Sequence, residues 1–515
     1  MLRSKGGESG AVYSQFEPHP IKRRNRGQFL GRSGATSYGA SRPTISSQFR
    51  SPGADGHIMK SWAPVLQGRE GPKYLAIADA IAADVAAGRL APGDRLPPQR
   101  DLAGRLALDF TTVARGYVEA GKRGLVESVV GRGTFIRRHA SVRGDAGPQR
   151  SRADFTMNMP PEPDDPELLA RMREGFASVA PDLDSLLRYQ GFGGSPMDRD
   201  AAASWLGRRA LVPSQERIFL APGAHGAMVG IFSLLARAGD TVLCEAITYP
   251  GVRSICAQLG LQLIGVDMDG DGVIPEALEE AVRRHAPKAI YLNPTLQNPK
   301  TITIPERRRA AICSLARRLQ VPIVEDDAYG FIPTHGPPPL AAIAPDVCWH
   351  IAGLAKCIGA GLRLAYVVAP DAPAAWSFNS AMRALCVMAS PISAAVATRW
   401  INDGTADTIL RFIRSESIAR ERIAAKALEP GSYLSDPLSF NIWLPMRNGW
   451  TRSVFVSQAR ASGLGVVPSD AFAANGAPPE AVRVGLGGPI TRSQVERGLA
   501  FLSHLLERQP ESVAT

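Results

Sequence analysis

Lys356 occupies the stretch IAGLAKCIGAGLRLAYV, residues 351–367, in which Arg363 is the only other charged residue. Burying an ammonium group among small apolar neighbours costs free energy unless the group has a partner or a reaction to perform. A lysine amine can form an imine with an aldehyde, which allows it to act as a nucleophile or to anchor an aldehyde cofactor. Lys356 is therefore a candidate Schiff-base residue.

Pyridoxal phosphate, bound at such a lysine, needs further groups of defined chemistry. Its ring nitrogen needs an acid, its phenolic oxygen needs hydrogen-bond donors, its ring needs a flat neighbour, and its phosphate needs a helix N-terminus with a cation. The candidates are Gly223, Ala224, His225 and Arg363 for the phosphate, Tyr249 for the ring face, Asn298 and Tyr329 for the phenolic oxygen, and Asp326 for the ring nitrogen. Each motif alone has an ordinary explanation, because acidic strand ends and single glycines are mostly turns.

The order of the motifs resembles the fold-type I aminotransferase family from about residue 155 to the C-terminus. The motifs are LAPGAHGAMVG, EAITYPG, NPTLQNPK, VPIVEDDAYG, IAGLAKCIGAGLRL and AVRVGL. The resemblance implies that Lys356 carries pyridoxal phosphate and that Arg483 clamps a substrate carboxylate through a bidentate pair. It also implies that Tyr189 reaches the phosphate of a neighbouring subunit, so that the active unit is a homodimer.

Several positions depart from the pattern of that family. Gly353 and Ala355 stand where hydroxyl residues usually precede the lysine, so one phosphate contact is missing. Lys300 and Thr301 replace the usual Thr-Gly, and His225 replaces a common Gln. Since the lysine and the arginine after it remain, we expect cofactor binding to survive and any transaminase activity to be residual.

Residues 73 to 140 have the pattern helix, turn, helix, helix, hairpin. Apolar spacing marks helices in KYLAIADAIAADV, in QRDLAGRLAL and in DFTTVARGYVEAGKRG, where Asp109 is the predicted N-cap. LVESVVGRGTFIRR predicts two strands around Gly131-Arg132-Gly133. This is the outline of a winged helix-turn-helix that binds double-stranded DNA. The candidate contacts are Thr111, Thr112 and Arg115 to phosphates or base edges, Arg95 and Arg100 to phosphates, and Arg132 in the minor groove.

GDRLPPQRDLA, TTVARGYVEA and GLVESVVGRGTF resemble the GntR family of bacterial repressors over nearly all of residues 73–136. Many members carry Arg just before the Thr pair, where this chain has Phe110. The operator preference of the family therefore does not transfer. The alternative interpretation is a small helical protein-interaction module with a solvated basic face.

The net charge of +11 comes from the N-terminal part of the chain. Residues 1–58 contain nine Lys and Arg against three acidic residues, residues 73–140 contain eleven against seven, and residues 141–515 contain 37 of each. A polyanion is therefore expected as the partner of the N-terminal part. Residues 1–58, rich in Gly, Ser and Arg, are predicted to form a disordered tail, with Met59 as an alternative start.

From about residue 189, strand-like runs alternate with helical ones. The runs are RIFL, DTVLCE, LQLIGV, AIYLN, VPIVED, CWHIA and RLAYVVA. This alternation predicts an α/β fold with a mainly parallel sheet and helices on both faces. From about residue 385 we expect a smaller α+β subdomain that contains SFNIWLP and AVRVGL. The predicted domains are a tail (1–58), a winged helix-turn-helix (59–138), a linker (139–153) and an aminotransferase-like body (154–515).

Other classes of site are disfavoured. The six cysteines show no C-x-x-C spacing, which favours the reduced cytoplasm. The sequence has no apolar run of about 18 residues and no secretory-signal pattern, so no membrane association is expected. DMDGDGVIPEAL starts like a calcium loop but has Leu278 at its twelfth position, and we expect a turn before a helix at Pro275. The histidines, among them His225 and His350, lack metal-binding spacing, so no metal is expected.

A GntR-like reader joined to an aminotransferase-like body resembles the MocR subfamily over about residues 60–515. The resemblance implies a transcriptional regulator in which an amino acid or amine effector displaces Lys356 from pyridoxal phosphate, forming an external aldimine. The altered body would then reposition two DNA-binding heads. Two alternatives stay open: a working aminotransferase with an accessory DNA-binding module, and a DNA-binding scaffold whose body holds no cofactor.

Overall fold

The computed structural model describes residues 62–64, 66, 71–87, 89–91, 93–129, 133–137 and 154–509. The predicted tail, the alternative start at Met59 and the predicted linker lie outside these residues. The chain divides into two compact units, residues 1–145 and residues 146–515.

The first unit contains three helices and a hairpin in the predicted order. Its elements are α1 (Lys73–Ala86), α2 (Gln99–Leu106), α3 (Phe110–Lys122), β1 (Val126–Val129) and β2 (Gly133–Ile136). The prediction of Asp109 as the N-cap of α3 is confirmed, because its side chain accepts a hydrogen bond from the Thr111 amide. Helix α3 packs closely on α1: a Cβ at Gly116 would lie 3.0 Å from the Cβ of Ile77. Ile77, Val113 and Tyr117 form part of the apolar core between the helices.

The second unit is built on a large sheet with smaller ones beside it. Within residues 154–509 the strands are β3 (Ile218–Ala221), β4 (Thr241–Glu245), β5 (Gln262–Val266), β6 (Met268–Asp269), β7 (Gly272–Val273), β8 (Ala289–Leu292), β9 (Ile323–Asp326), β10 (Cys348–Gly353), β11 (Ala365–Val368), β12 (Asn441–Pro445), β13 (Val467–Pro468) and β14 (Ala481–Gly485). The helices are α4 (Pro166–Ala177), α5 (Leu183–Leu186), α6 (Pro196–Gly207), α7 (Gly223–Leu235), α8 (Pro250–Gln258), α9 (Pro275–His285), α10 (Glu306–Leu319), α11 (Leu340–Ile343), α12 (Ala372–Cys386), α13 (Pro391–Asn402), α14 (Thr405–Ala427), α15 (Arg452–Ala461) and α16 (Arg492–Glu507).

The seven-stranded sheet has the order β3-β11-β10-β9-β8-β4-β5. Successive residues of a strand pack into different apolar cores on the two faces of the sheet. Leu243 of β4 and Ile290 of β8 lie in one core, whereas their neighbours Val242 and Tyr291 lie in the other. Both faces are therefore covered, and the prediction of a mainly parallel α/β sheet is confirmed. Strand β11 runs antiparallel to both of its neighbours, β10 and β3. An antiparallel strand in this sheet was not predicted from the sequence. The connection from β10 to β11 spans residues 354–364, too short for the usual helical crossover of parallel strands.

The C-terminal part carries a three-stranded antiparallel sheet of order β12-β14-β13. Helices α14, α15 and α16 contribute to its apolar core, as does Phe155, from the start of the unit. The N–H of Gly485 in β14 also donates to the carbonyl of Phe155 at 2.8 Å. The chain that enters the second unit is therefore fixed directly to the strand that carries Arg483.

The calcium-like segment forms the short β6–β7 hairpin followed by α9, which begins at Pro275 as expected. Asp269 and Asp271 form ion pairs with Arg308 and Arg307. In the part of the chain that is described, no group of three or more His, Cys, Asp or Glu side chains is placed to hold a metal ion. All six cysteines are free. No helix among the described residues is long and apolar enough to span a bilayer.

Candidate cofactor and DNA-contact sites

Lys356 lies just after β10, in the first turn of the connection to β11. Its Nζ donates a hydrogen bond to the backbone carbonyl of Asn158. Burial lowers the pKa of the Lys356 amine to about 8, and the charges of Arg483 and Arg363 act in the same direction, while Asp326 opposes them. A lysine with such a pKa has a useful fraction of neutral, nucleophilic amine near neutral pH.

Asp326 ends strand β9 and is buried. Its Oδ2 accepts a hydrogen bond from the Tyr291 hydroxyl at 2.8 Å, whereas its Oδ1 is buried without a partner among the described residues. Burial raises the pKa of Asp326 to about 6, the Tyr291 hydrogen bond lowers it, and the charge of Asp327 raises it. An unpaired buried carboxylate oxygen is costly unless a donor arrives, and a protonated pyridine nitrogen is such a donor.

Strand geometry separates Asp326 from its two acidic neighbours, because successive side chains of a strand point to opposite faces. Glu325 Oε2 lies 2.9 Å from Nδ1 of His350, within hydrogen-bond distance. Asp327 is paired with buried Arg209 at 3.4 Å. His350 is a buried residue of strand β10, as predicted. The acids beside Asp326 therefore serve the packing beneath the site.

Gly223 opens helix α7 and has φ +81°, a conformation that favours glycine. A Cβ at this position would lie 3.1 Å from Nη2 of Arg363, so the guanidinium packs against the start of the helix. Ala224 and His225 follow in the first turn, where backbone N–H groups have no partner within the helix. A helix N-terminus with an arginine beside it is suited to bind a phosphate.

Tyr249 and His225 contact each other through their polar atoms. The Tyr249 hydroxyl and His225 Nε2 are 2.7 Å apart, and the two rings meet edge to face at 5.7 Å. Burial raises the pKa of Tyr249 to about 12, and burial also lowers the pKa of His225, assisted by Arg363 and Lys356. The structure thus brings the predicted phosphate residue and the predicted ring-stacking residue together.

Arg483, in strand β14, is buried and points toward Asn298. Its Nη1 donates to Asn298 Oδ1 at 3.0 Å, and its Nη2 donates to the carbonyl of Thr156 at 2.5 Å. Its Nε has no partner within the described chain, and its guanidinium lies 5.0 Å from the ring centre of Phe472. A buried guanidinium with an unused donor can receive a carboxylate.

Tyr329 is buried, and its hydroxyl accepts a hydrogen bond from Asn158 Nδ2 at 3.0 Å. Asn158 thus contacts Lys356 through its carbonyl and Tyr329 through its side chain. The sequence interpretation did not identify Asn158, Thr156 or Tyr291. The first two lie in TMNMPPEP, which has no recognisable motif, and Tyr291 looks like an ordinary apolar strand residue in AIYLN.

Tyr189 is 83% exposed, and among the described residues no hydrogen bond or ring contact links it to this site. The structure therefore does not bring it to the site of its own chain. A contact with a neighbouring subunit stays a prediction.

The predicted DNA contacts lie on several elements of the first unit. The amide and hydroxyl of Thr111 both donate to Asp109, and Thr112 follows on the same turn of α3. The guanidinium of Arg115 lies 4.5 Å from the ring centre of Tyr74. Arg95 packs on the hairpin, since a Cβ at Gly133 would lie 2.7 Å from its Nε. Arg100 at the start of α2 is 5.8 Å from the ring centre of Phe110, and Arg132 lies outside the described residues.

Comparison with known proteins identifies two families along the chain. Residues 154–498 match the aminotransferase class I and II family, and residues 73–136 match the gntR family of bacterial regulatory proteins. An uncharacterised HTH-type transcriptional regulator of Bacillus subtilis, YdeF, is 28% identical over 452 residues, which cover 87% of this chain and 97% of that protein. The vitamin B6 salvage pathway transcriptional repressor PtsJ of Salmonella typhimurium is 28% identical over 379 residues, covering 72% of this chain and 84% of PtsJ.

Solved structures resemble the body of the chain. An archaeal alanine:glyoxylate aminotransferase has a TM-score of 0.63 at 24% identity, over 69% of this chain and 91% of that one. The α-aminoadipate aminotransferase LysN of Thermus thermophilus has a TM-score of 0.62 at 22% identity, over 69% of this chain and 92% of its own. At these identities the likeness shows the fold, and the prediction of a fold-type I aminotransferase-like body is confirmed.

Proposed function

We propose that this chain, which belongs to the aminotransferase class I and II family over residues 154–498, is a transcriptional regulator. The aminotransferase-like body is joined to a GntR-family DNA-binding domain at residues 73–136. In this proposal the body binds pyridoxal phosphate and senses a primary amine. The regulator YdeF matches it over 87% of this chain and 97% of its own length, which includes the reader and the body. This shared architecture supports a regulator over an aminotransferase with an accessory module. The observation that carries the cofactor proposal is Oδ1 of Asp326, which is buried and has no partner among the described residues, in a site that also holds Lys356 and Arg363.

The residues of the site fit pyridoxal phosphate. When bound, the cofactor supplies an aldehyde carbon that primary amines can attack and a pyridine ring that withdraws electrons. Asp326 would hold the proton on the ring nitrogen through Oδ1, and Tyr291 would hold Asp326 in place. Arg363 and the N-terminal amides of α7 would bind the phosphate, and Asn298 and Tyr329 would serve the phenolic oxygen. Lys356 would supply the amine, since its lowered pKa leaves part of it neutral.

Arg483 supports an effector that carries a carboxylate. Its guanidinium is buried and has an unused Nε donor, while its two other nitrogens donate to the side-chain oxygen of Asn298 and to the carbonyl of Thr156. A carboxylate entering here could form a charge-assisted pair with the guanidinium. We therefore propose an amino acid, or another amine with an acidic group, as the effector.

The body lacks one feature that would favour rapid turnover. Gly353 packs against helix α7, where a Cβ would lie 3.6 Å from the Cβ of Ala224, and neither Gly353 nor Ala355 offers a hydroxyl to the phosphate. With these contacts missing, we propose that amine binding changes the state of the protein and that transamination is residual. We also propose that the protein is a dimer in which Tyr189 of one subunit reaches the other. As a regulator that binds DNA, it would act in the cytoplasm.

Two measurements on the full-length protein test the proposal. Borohydride reduction followed by peptide mass spectrometry should find a pyridoxyl group on Lys356, and Lys356→Ala should lose it while its DNA binding is kept. DNA fragments from around the gene should bind with an affinity that changes when an amino acid effector is added. Amino-group exchange between common amino and keto acids at about one turnover per second or faster would contradict the regulator. If no pyridoxyl group is found on Lys356, the proposal that the protein binds pyridoxal phosphate there is wrong.

A further inference from the structure

Phe110 is an exposed aromatic residue on the helix that should read DNA. It is the first residue of α3, and its side chain is 44% exposed. Within the described part of the first unit, the other exposed large apolar side chain is Val118, two turns further along the same helix. Tyr117, by contrast, is buried and donates its hydroxyl to the carbonyl of Pro97 at 2.8 Å. A single exposed apolar side chain is ordinary on a protein surface. What distinguishes Phe110 is its place on the leading turn of α3, beside Arg100.

Two polar residues near Phe110, Thr111 and Arg115, are already engaged. The amide and hydroxyl of Thr111 both donate to Asp109, which caps the helix. Arg115, one turn further along, lies against the ring of Tyr74 at 4.5 Å. The hydroxyl hydrogen of Thr111 is therefore directed at the cap, and the guanidinium of Arg115 is held against an α1 side chain. Phe110 remains as the large apolar side chain of the leading turn of α3, and it is partly exposed.

The surroundings of Phe110 suit a polyanion rather than an apolar partner. The guanidinium of Arg100 lies 5.8 Å from its ring centre. The two residues also line one groove of about 360 Å³, in which two arginines, Arg95 and Arg100, outnumber the single acid, Asp101. A phosphate backbone seated along Arg95 and Arg100 would bring the first turn of α3 to the edges of the bases.

We infer that Phe110 contacts the 5-methyl group of a thymine in the major groove and thereby reads that base. This inference rests on the proposed DNA-binding function. The 5-methyl of thymine is the apolar group that base pairs present in this groove, and phenylalanine is among the side chains suited to contact it. Apolar contact with a methyl removes both groups from water and contributes about 0.8 kcal/mol, a factor of about four in affinity. Phe110 is then a specificity-determining residue of the reader.

Deoxyuridine offers a direct test, because it differs from thymidine only by the methyl group. DNA selected by the full-length protein from a random library is resynthesised with each thymine in turn replaced by deoxyuridine. At one position in each half-site, the replacement should weaken binding of the native protein about fourfold. Phe110→Ala should bind the thymine and deoxyuridine duplexes equally, whereas Val118→Ala, a matched exposed apolar residue, should keep the fourfold difference.

Further variants separate a changed contact from a damaged fold. Phe110→Leu keeps an apolar group and should keep part of the preference for thymine, and Phe110→Arg should move the preference toward guanine, which arginine reads through O6 and N7. Circular dichroism establishes that α3 still forms in each variant. A native protein that binds both duplexes equally at every position would overturn the inference, as would a methyl effect that persists in Phe110→Ala. A native protein that selects no DNA would overturn the proposed function itself.

Discussion

The hydroxyl of Tyr291 in strand β8 donates to Oδ2 of Asp326 in strand β9 at 2.8 Å, and Oδ1 of the same carboxylate is left buried without a partner in the described chain. One oxygen is thus fixed by the protein, while the other is available to a ligand. This division makes Tyr291 a positioning residue for the proposed partner of the pyridine nitrogen.

Tyr291→Phe should weaken the binding of pyridoxal phosphate about five- to tenfold, since one hydrogen bond contributes about 1 kcal/mol. The Tyr291 hydrogen bond lowers the pKa of Asp326, which burial raises to about 6. Cofactor affinity of the native protein should fall as the pH drops through about 6, because Asp326 becomes neutral, and in the variant this fall should occur at higher pH. Spectroscopic titration at several pH values measures both effects. Tyr433→Phe, which removes a hydroxyl near Glu421, should change neither.

The lowered pKa of Lys356 predicts the pH dependence of covalent cofactor uptake. The neutral amine is the nucleophile, so the uptake rate should rise with pH and level off above about 8, far below the ordinary lysine value of 10.5. Stopped-flow absorbance of apoprotein mixed with pyridoxal phosphate gives this profile. Arg483→Gln removes a positive charge that lowers the pKa, so its midpoint should move to higher pH. A native midpoint near that of free lysine would contradict the burial of the amine.

Arg483→Gln should also change which effectors bind. Charge-assisted hydrogen bonds are worth about 1.5–3 kcal/mol, so amino acids should bind about ten- to a hundredfold more weakly. The matching amines without a carboxylate should be unaffected. Effector titrations followed by the cofactor spectrum compare the two series. Arg452→Gln, an arginine of the same C-terminal part paired with Asp470 and Glu480, serves as the control, and an equal loss for acids and amines would exclude the proposed clamp.

Arg100→Ala should weaken DNA binding and lower the slope of log affinity against log salt by about one, because one phosphate contact is lost. The cofactor spectrum should not change. Arg284→Ala removes an exposed arginine from helix α9, where it pairs with Glu280, and should leave the salt slope unaltered. Arg132→Ala, outside the described residues, is expected to behave like Arg100→Ala. An unchanged slope in Arg100→Ala would place that residue away from the phosphates.

The sequence predicted the strands of the large sheet because each is a short apolar run bounded by turn residues. It also predicted residues such as Lys356, whose chemistry is unusual for its neighbours. These features are local, so the chain itself displays them.

Contacts between distant segments were not predictable in this way. Asn158 reaches Lys356 across 198 positions of the sequence, and nothing around Asn158 marks it as functional. From the sequence, Tyr291 is an ordinary strand residue. Only the pairing of β8 with β9 places its hydroxyl beside Asp326. Strand β11 runs antiparallel because its connection is short, although the apolar run itself has no direction. Tertiary pairing decides such features, and one sequence does not encode them in a readable pattern.

The segment that begins the body passes through the proposed cofactor site. The carbonyl of Thr156 accepts from Arg483, and the carbonyl of Asn158 accepts from Lys356. A hybrid protein that grafts a foreign reader onto this body must therefore be joined before Asp154. A junction placed only a few residues later would replace the backbone that contacts Lys356 and Arg483, and the proposed response to an effector should then change as well as the DNA that the hybrid binds.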